Sequence, residues 1–251
     1  MAKKTALISG ATAGIGQATA REFAKNGWDL LLTGRRIERL VQLKQELISH
    51  FQVNIQTYCF DIRESEECQK AVEAMPTKID LLVNNAGLSQ GLDPIQTGSL
   101  KDWETMIDTN VKGLLYLSKA VIDRMKENGT GHIVNVGSIA GKEVYPNGNV
   151  YCATKHAVDA LTKAMRVDLV KLGIKVSAIH PGMVDTEFSL VRFKGDQEKA
   201  DKVYQGFEPL HAQDIAETIY FMASRPAHVN IDDLLIMPTV QASATIVNKE
   251  G

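Results

Sequence analysis

Seven short apolar runs punctuate this chain, and their spacing leaves it few folds to choose from. They read TALIS (5–9), DLLLT (29–33), NIQTYCF (54–60), DLLVNN (80–85), HIVNVGS (132–138), KVSAIH (175–180) and DLLIMP (233–238). Most are continuous rather than alternating, as expected of strands covered on both faces. Helical periodicity fills the gaps. Residues 64–75 place Cys68, Ala71, Val72 and Met75 on one stripe, and residues 36–48 do so with Ile37, Leu40, Val41, Leu47 and Ile48. Strands alternating with helices of this length predict right-handed βαβ units around a parallel sheet. The 251 residues hold no internal repeat, low-complexity segment or linker, so one domain over 1–251 is expected.

In such a sheet, ligands bind beyond the carboxyl ends of the strands. Those ends carry Ser9-Gly10, Gly34-Arg35, Asp61, Asn84-Asn85-Ala86-Gly87, Gly137-Ser138 and Pro181-Gly182. Small, polar and turn-forming residues therefore collect along one edge, which points to a site there.

Composition excludes other classes. With 44% hydrophobic and 23% charged residues and a formal net charge of -2, nothing favours nucleic acid or an anionic membrane surface. No run approaches the roughly 18 apolar residues of a membrane span. The opening MAKKTALISG lacks the apolar stretch of a secretion signal. Cys59, Cys68 and Cys152 form no metal-like cluster, and Cys59 and Cys68 read as buried free thiols. No metal site is expected, and a reducing, cytoplasmic setting fits best.

The first strand runs into SGATAGIGQATAREFA, where Gly10, Gly14 and Gly16 give a G-x-x-x-G-x-G spacing. Glycines let the backbone turn sharply and approach a pyrophosphate seated on the N-terminus of the helix beginning near Ile15. A plain glycine turn is the alternative, and position after the first strand of a βαβ unit favours the nucleotide. The second strand ends in TGRR, with no carboxylate for a ribose 2′-hydroxyl. Arg35 and Arg36 stand at a helix start, where cations are unfavourable unless an anion joins them. A guanidinium fork suits a 2′-phosphate, so NADP is expected over NAD.

Two further helices carry polar residues on apolar stripes. The helix from Tyr151 aligns Tyr151, Thr154, Lys155, Val158, Leu161, Met165, Leu169 and Leu172. Lys155 lies about 40° round from Tyr151, because four residues advance roughly 400°. A lysine on that face must be partnered, and a cation beside a phenol favours the phenolate, making Tyr151 a usable general acid/base. The helix at 103–125 aligns Trp103, Met106, Ile107, Asn110, Leu114, Leu117, Val121 and Met125. Asn110 could be a buried structural residue bonded to a neighbouring strand, or part of a site. Ser138 could be a simple turn cap, or a donor to a substrate oxygen.

SGATAGIG, NNAG at 84–87, Asn110, Ser138 and the Tyr151/Lys155 pair, taken in this order and spacing, resemble the short-chain dehydrogenase/reductase family. The resemblance covers essentially the whole chain. It implies a Rossmann-type doubly wound sheet of seven parallel strands in a three-layer α/β/α arrangement, and an Asn110-Ser138-Tyr151-Lys155 tetrad. Tyr151 would exchange a proton with the substrate oxygen, Ser138 would orient that oxygen, and Lys155 would hold the nicotinamide ribose and lower the tyrosine pKa. Asn110 would anchor a water in the proton relay. Gly10, Thr12, Gly14, Ile15, Gly16, Arg35 and Arg36 would hold the nucleotide's phosphates. Asp61 would contact adenine, and Asn84, Ala86 and Gly87 would line the adenosine side. Pro181, Gly182, Val184 and Thr186 would flank the nicotinamide. Ser9 stands where the family usually has threonine, and Ala13 where many NADP-preferring members have a basic residue.

TGRRIERL, NNAGLSQG, DWETMIDTNVKGL, TEFSLVRFKGD and PAHVNIDDLLIMPTVQ are similar to the family's NADP-dependent 3-hydroxy acid (serine/allo-threonine) dehydrogenases. That likeness implies oxidation of a small acid's β-hydroxyl, and a homotetramer packed through helices 101–127 and 151–172. Arg192, within a loop-like lid at 185–207, is the candidate for a substrate carboxylate, with Ser138, Tyr145 and Asn147 as further lining. A solvated loop charge is the equal alternative for Arg192. A reductase of ketones, dicarbonyls or acyl thioesters, and a non-enzymatic NADP(H)-binding protein, stay open at this point.

Overall fold

The computed structural model describes residues 3–76 and 78–249. Its strands are β1 (Thr5–Ile8), β2 (Asp29–Gly34), β3 (Ile55–Cys59), β4 (Leu81–Asn84), β5 (Gly131–Val136), β6 (Ile174–Pro181), β7 (Val184–Asp185), β8 (Leu210–His211) and β9 (Asp233–Ile236). The helices are α1 (Gly14–Lys25), α2 (Ile37–His50), α3 (Ser65–Glu73), α4 (Leu100–Ile107), α5 (Leu114–Glu127), α6 (Asn149–Leu169), α7 (Phe188–Arg192), α8 (Gln197–Lys202) and α9 (Ala212–Ala223). Seven strands form one parallel sheet in the order β3-β2-β1-β4-β5-β6-β9, while β7 and β8 pair separately. All seven predicted strands are present, and the sheet is the expected Rossmann-type arrangement.

Alternating residues feed the two outer layers. Ala6, Ile8, Leu30 and Leu32 pack with Phe23, Leu40, Leu47, Ile215 and Ile219 of α1, α2 and α9. Leu7, Leu31 and Leu82 face the other way, onto Leu117, Val121, Val158 and Met165 of α5 and α6. Continuous apolar strands are thus a direct consequence of helices on both faces.

The sheet reverses its winding between β1 and β4, which opens a crevice at their carboxyl ends. Ser9 closes its floor. Its hydroxyl accepts hydrogen bonds from Asn85 N and Ala86 N, both at 3.0 Å. The hydroxyl that a threonine would also supply is therefore a structural stitch between the two loops.

Several expectations from periodicity are corrected. In α2, Leu40, Leu43 and Leu47 face the core, while Ile37, Val41 and Ile48 are exposed. The true stripe is narrower than the apolar residues suggest. Cys59 is exposed, whereas Cys68 and Cys152 are buried. Cys59 ends β3, an edge strand with one flank open. The helix expected at 103–125 is divided by a π-helical segment, Asp108–Gly113, and Ile107 is exposed. The lid at 185–207 is not plain loop, because α7 and α8 lie within it. No helix among the described residues is long and apolar enough to cross a membrane.

His132 on β5 is buried, with Nε2 2.8 Å from Ser177 Oγ. Burial, aided by Lys175 and Lys4, pulls its pKa from 6.5 down to about 3. Between those values the unfolded chain takes up a proton that the folded chain refuses, so stability falls as the pH falls through that window. The contribution is on the order of a few kcal/mol. His132→Gln should flatten the acid limb of a Tm–pH curve. An unchanged acid limb would assign the titration to other groups.

Candidate active site

A cleft of about 670 Å³ runs along the carboxyl edge from the β1 and β2 ends to the lid. Gly10, at φ +65°, and Gly14, at φ +52°, hold left-handed backbone conformations that favour glycine. A Cβ on Gly10 would lie 3.0 Å from Ala86 Cα, so the loop could not tolerate a side chain there. Gly10, Thr12, Gly14 and Ile15 line the cleft, as do Arg35, Arg36 and Asp61. Gly16 does not: its Cβ would meet Asn85 Nδ2 and Gly10 O at 2.4 Å, so it serves loop packing.

Asn84 is a second departure from expectation. Its amide donates to Ser118 Oγ at 2.8 Å and Asn135 Oδ1 at 2.9 Å, beneath the sheet edge. Asn85, Ala86 and Gly87 line the cleft instead. Successive strand residues point to opposite faces, so one position decides between core network and ligand.

At the β2 end, Arg36 donates to Thr12 Oγ1 through Nε at 3.2 Å and Nη2 at 2.9 Å. Arg35 Nη1 lies 3.8 Å from Asp61, whose carboxylate also receives Arg63. Burial opposes ionisation of Asp61, but the Arg63 hydrogen bonds outweigh it and hold its pKa below the usual range. The glycine loop, the arginine pair and the absence of an acidic residue at the end of β2 fit a 2′-phosphorylated dinucleotide.

Three of the four expected tetrad residues meet in the cleft, and Asn110 stands outside its lining. Tyr151, Lys155 and Ser138 line it, each buried. Burial pushes the Tyr151 phenol above its ordinary value, Tyr145 adds to this, and Arg192 and the Ser138 hydrogen bond act in the opposite sense. Lys155 is held by the sheet. Its Nζ donates to Val136 O at 2.9 Å and stands 6.0 Å from the Tyr151 ring centroid. Burial lowers its pKa to about 8. A second cation, Arg192 on the lid, also stands over the phenol ring, 5.3 Å from its centroid.

Asn110 lies in the π-helical segment, where the backbone ladder is interrupted. Its Oδ1 accepts from Leu88 N at 2.8 Å, and its Nδ2 donates to Leu88 O at 2.8 Å and Thr154 Oγ1 at 3.0 Å. The side chain ties the β4 loop to α6, one residue before Lys155. Behind Ser138, His180 Nδ1 lies 3.3 Å from the Ser138 carbonyl oxygen. His180, Asp159 and Asp233 bring ligand-type atoms within 4.8 Å of one another. Lys142 Nζ already supplies a cation there, at 2.8 Å and 2.6 Å from the two carboxylates.

Arg192 is no solvated loop charge. Nε donates to Ser89 Oγ at 3.1 Å and Nη2 to Tyr145 OH at 2.8 Å. Its guanidinium lies 4.9 Å from the Phe188 ring centroid and 5.3 Å from that of Tyr151. Tyr145 lines the cleft, whereas Asn147, at φ +64°, lines only a water-sized recess of about 10 Å³ beside it. Pro181, Gly182, Val184 and Thr186 line the cleft as well. Sequence reasoning missed Ser89, Phe188, Arg39 and Glu187. Glu187 and Phe188 fall inside the expected lid, and Ser89 and Arg39 inside stretches that carry the resemblance, but nothing marks any of the four singly.

A dinucleotide-shaped cleft at the switch point of a parallel sheet, with a buried Ser-Tyr-Lys set in its wall, defines an oxidoreductase of the Rossmann type. The short chain dehydrogenase model matches residues 4–196, and the chain belongs to that family. It is similar to sulfoacetaldehyde reductase 2 of Chromohalobacter salexigens, 46% identical over 97% of this chain and 98% of that protein. It is likewise similar to the NADP-dependent 3-hydroxy acid dehydrogenase of Salmonella typhi, 47% identical over 95% and 96%. Among solved structures, the closed form of serine dehydrogenase complexed with NADP+ superposes with a TM-score of 0.91 at 43% identity, covering 98% of this chain and all of that one (100%).

Proposed function

We propose that the chain transfers hydride between NADP(H) and the C3 hydroxyl or carbonyl carbon of small 3-hydroxy acids, with serine and allo-threonine as candidates. The observation that carries this reading is Arg192, whose guanidinium lies 5.3 Å from the Tyr151 ring centroid and whose Nη1, unlike Nε and Nη2, has no hydrogen-bond partner among the described residues. A planar fork pairs with carboxylate oxygens. A substrate held there presents its β-oxygen to Tyr151 and Ser138.

The dinucleotide supplies the hydride donor or acceptor at its nicotinamide ring. Tyr151 gives or takes the proton at the substrate oxygen, and Ser138 Oγ donates to that oxygen and fixes its position. Lys155, freed from Val136 O, binds ribose hydroxyls, and its charge lowers the Tyr151 pKa. Asn110 holds the β4 loop and α6 in register and would anchor a water of the proton relay. Arg35 and Arg36 take the 2′-phosphate. The names of the relatives, an NADP-dependent 3-hydroxy acid dehydrogenase and a serine dehydrogenase bound to NADP+, support the choice of cofactor and substrate class. A sulfonated aldehyde is a second substrate reading, because Arg192 suits three sulfonate oxygens equally and a sulfoacetaldehyde reductase is a relative.

The test is a kcat/KM panel with NADP(H) and NAD(H): serine, allo-threonine, 3-hydroxypropanoate, a sulfonated aldehyde and an uncharged ketone. Anionic substrates and NADP(H) should win by roughly tenfold or more. A preference for the uncharged ketone would overturn the acid reading. No absorbance change at 340 nm with any of them would favour a non-enzymatic NADP(H)-binding role. We further place the chain in a cytoplasmic homotetramer. Exposed Ile107, Leu115, Val167 and Val170 around α5 and α6, and three unpaired cysteines, support that placement.

A further inference from the structure

The lid is fastened at both ends of the cleft. At the substrate end, Gly91 N donates to Arg192 O at 3.0 Å, and Lys194 Nζ lies 2.8 Å from Asp102. At the nucleotide end, Glu187 reaches the start of α2. Its Oε2 accepts from Arg36 Nη1 at 2.9 Å and its Oε1 from Arg39 Nη1 at 2.6 Å.

We propose that Glu187, gripped by Arg36 and Arg39, is a positioning residue that latches the lid across the nucleotide cleft, so that bound dinucleotide leaves only after this contact opens. The inference rests on the NADP(H) function proposed above.

Three observations carry it. Each carboxylate oxygen of Glu187 serves one guanidinium, brought from 151 and 148 residues away. A solvated surface charge would not converge in this way. Next, Arg36 is the N-cap of α2 and Arg39 lies in its first turn. Cations there oppose the helix dipole, and beside Glu38 of the same turn the lid adds a carboxylate that both guanidiniums reach. Finally, Glu187 and Arg36 both line the cleft, from different walls, while Arg39 stands outside the lining. The neighbouring Thr186 packs on the glycine loop, 3.2 Å from where a Cβ on Gly14 would lie. The ion pair therefore bridges the rim beside the seat of the phosphates.

The test is stopped-flow release of NADPH, chased with excess NADP+ and followed by nicotinamide fluorescence. A parallel series uses NADH chased with NAD+. Glu187→Gln should speed release roughly three- to tenfold, the range of a surface ion pair, for NADPH and NADH alike. Arg39→Gln should give part of that effect, since the Arg36 contact remains, and the double variant should be no faster than Glu187→Gln alone. In the NADH series, which lacks the 2′-phosphate, added salt should accelerate release from the wild type more than from Glu187→Gln. Unchanged or slower release in Glu187→Gln would overturn the latch. So would a change confined to NADPH, in either direction, because that would tie Glu187 to the 2′-phosphate through Arg36 and not to the lid. A wild type that bound neither dinucleotide would instead overturn the NADP(H) function itself.

Discussion

Tyr151→Phe should cut kcat by two to four orders of magnitude, the usual worth of a positioned general acid/base, roughly 10²–10⁴-fold. The Kd for NADPH should move by no more than roughly threefold, because only one hydroxyl is removed from a wall built of many groups. The phenol is buried beside Ser138 and packs 5.5 Å from Phe188, so the phenylalanine ring fills the same space. A kinetic collapse with cofactor binding preserved therefore reports on the proton. The pKa environment adds a second expectation. Burial raises the Tyr151 pKa and lowers that of Lys155 to about 8. Turnover in the oxidative direction needs the phenolate, so it should rise with pH, and Tyr151→Phe should abolish that dependence along with the rate. Wild-type turnover in Tyr151→Phe would sink the proposed mechanism.

The second large effect is expected at Arg192. Arg192→Met should lower kcat/KM for carboxylate substrates roughly 10- to 100-fold, the worth of one charge-assisted hydrogen bond pair. It should cost an uncharged ketone clearly less, only the part owed to the Tyr151 phenol whose pKa Arg192 helps hold down. The backbone bond from Gly91 N to Arg192 O survives the substitution, which separates loss of the guanidinium from loss of lid position. Arg192→Lys should recover part of the activity, since the charge returns without the planar fork. Equal losses on charged and uncharged substrates would make Arg192 a structural residue of the lid and remove it from substrate recognition.

The parts of this site that were legible in the sequence share one physical property. Tyr151, Lys155 and Asn110 are polar or ionisable groups at positions where a 3.6-residue period demands apolar ones. Such placements cost free energy unless a partner exists. The seven strands were legible because helices on both faces force continuous apolar runs. What stayed hidden depends on single-residue register or on contacts distant in sequence. Asn84 and Asn85 differ by one position, yet one bonds Asn135 in the interior and the other lines the cleft. Glu187 meets Arg39 across 148 residues, and no periodicity encodes that pairing. The direction of Lys155 was hidden in the same way. Its helical phase gave the inward face, but the acceptor, Val136 O, comes from β5. Short helices such as α7 and α8 lack the length to show a period and are held by tertiary contacts.

Isotope transfer is the most direct measurement of the chemistry proposed here. The purified protein would be given NADPH carrying deuterium at both C4 positions of the nicotinamide, together with a small 3-oxo acid. The product would then be examined by NMR and mass spectrometry. Direct hydride transfer predicts one deuterium on C3 of the 3-hydroxy acid, formed as NADPH is consumed, and almost none with Tyr151→Phe in the same time. A product lacking deuterium at C3, or NADPH left intact over a full panel of 3-oxo acids, would contradict hydride transfer to that carbon at this site.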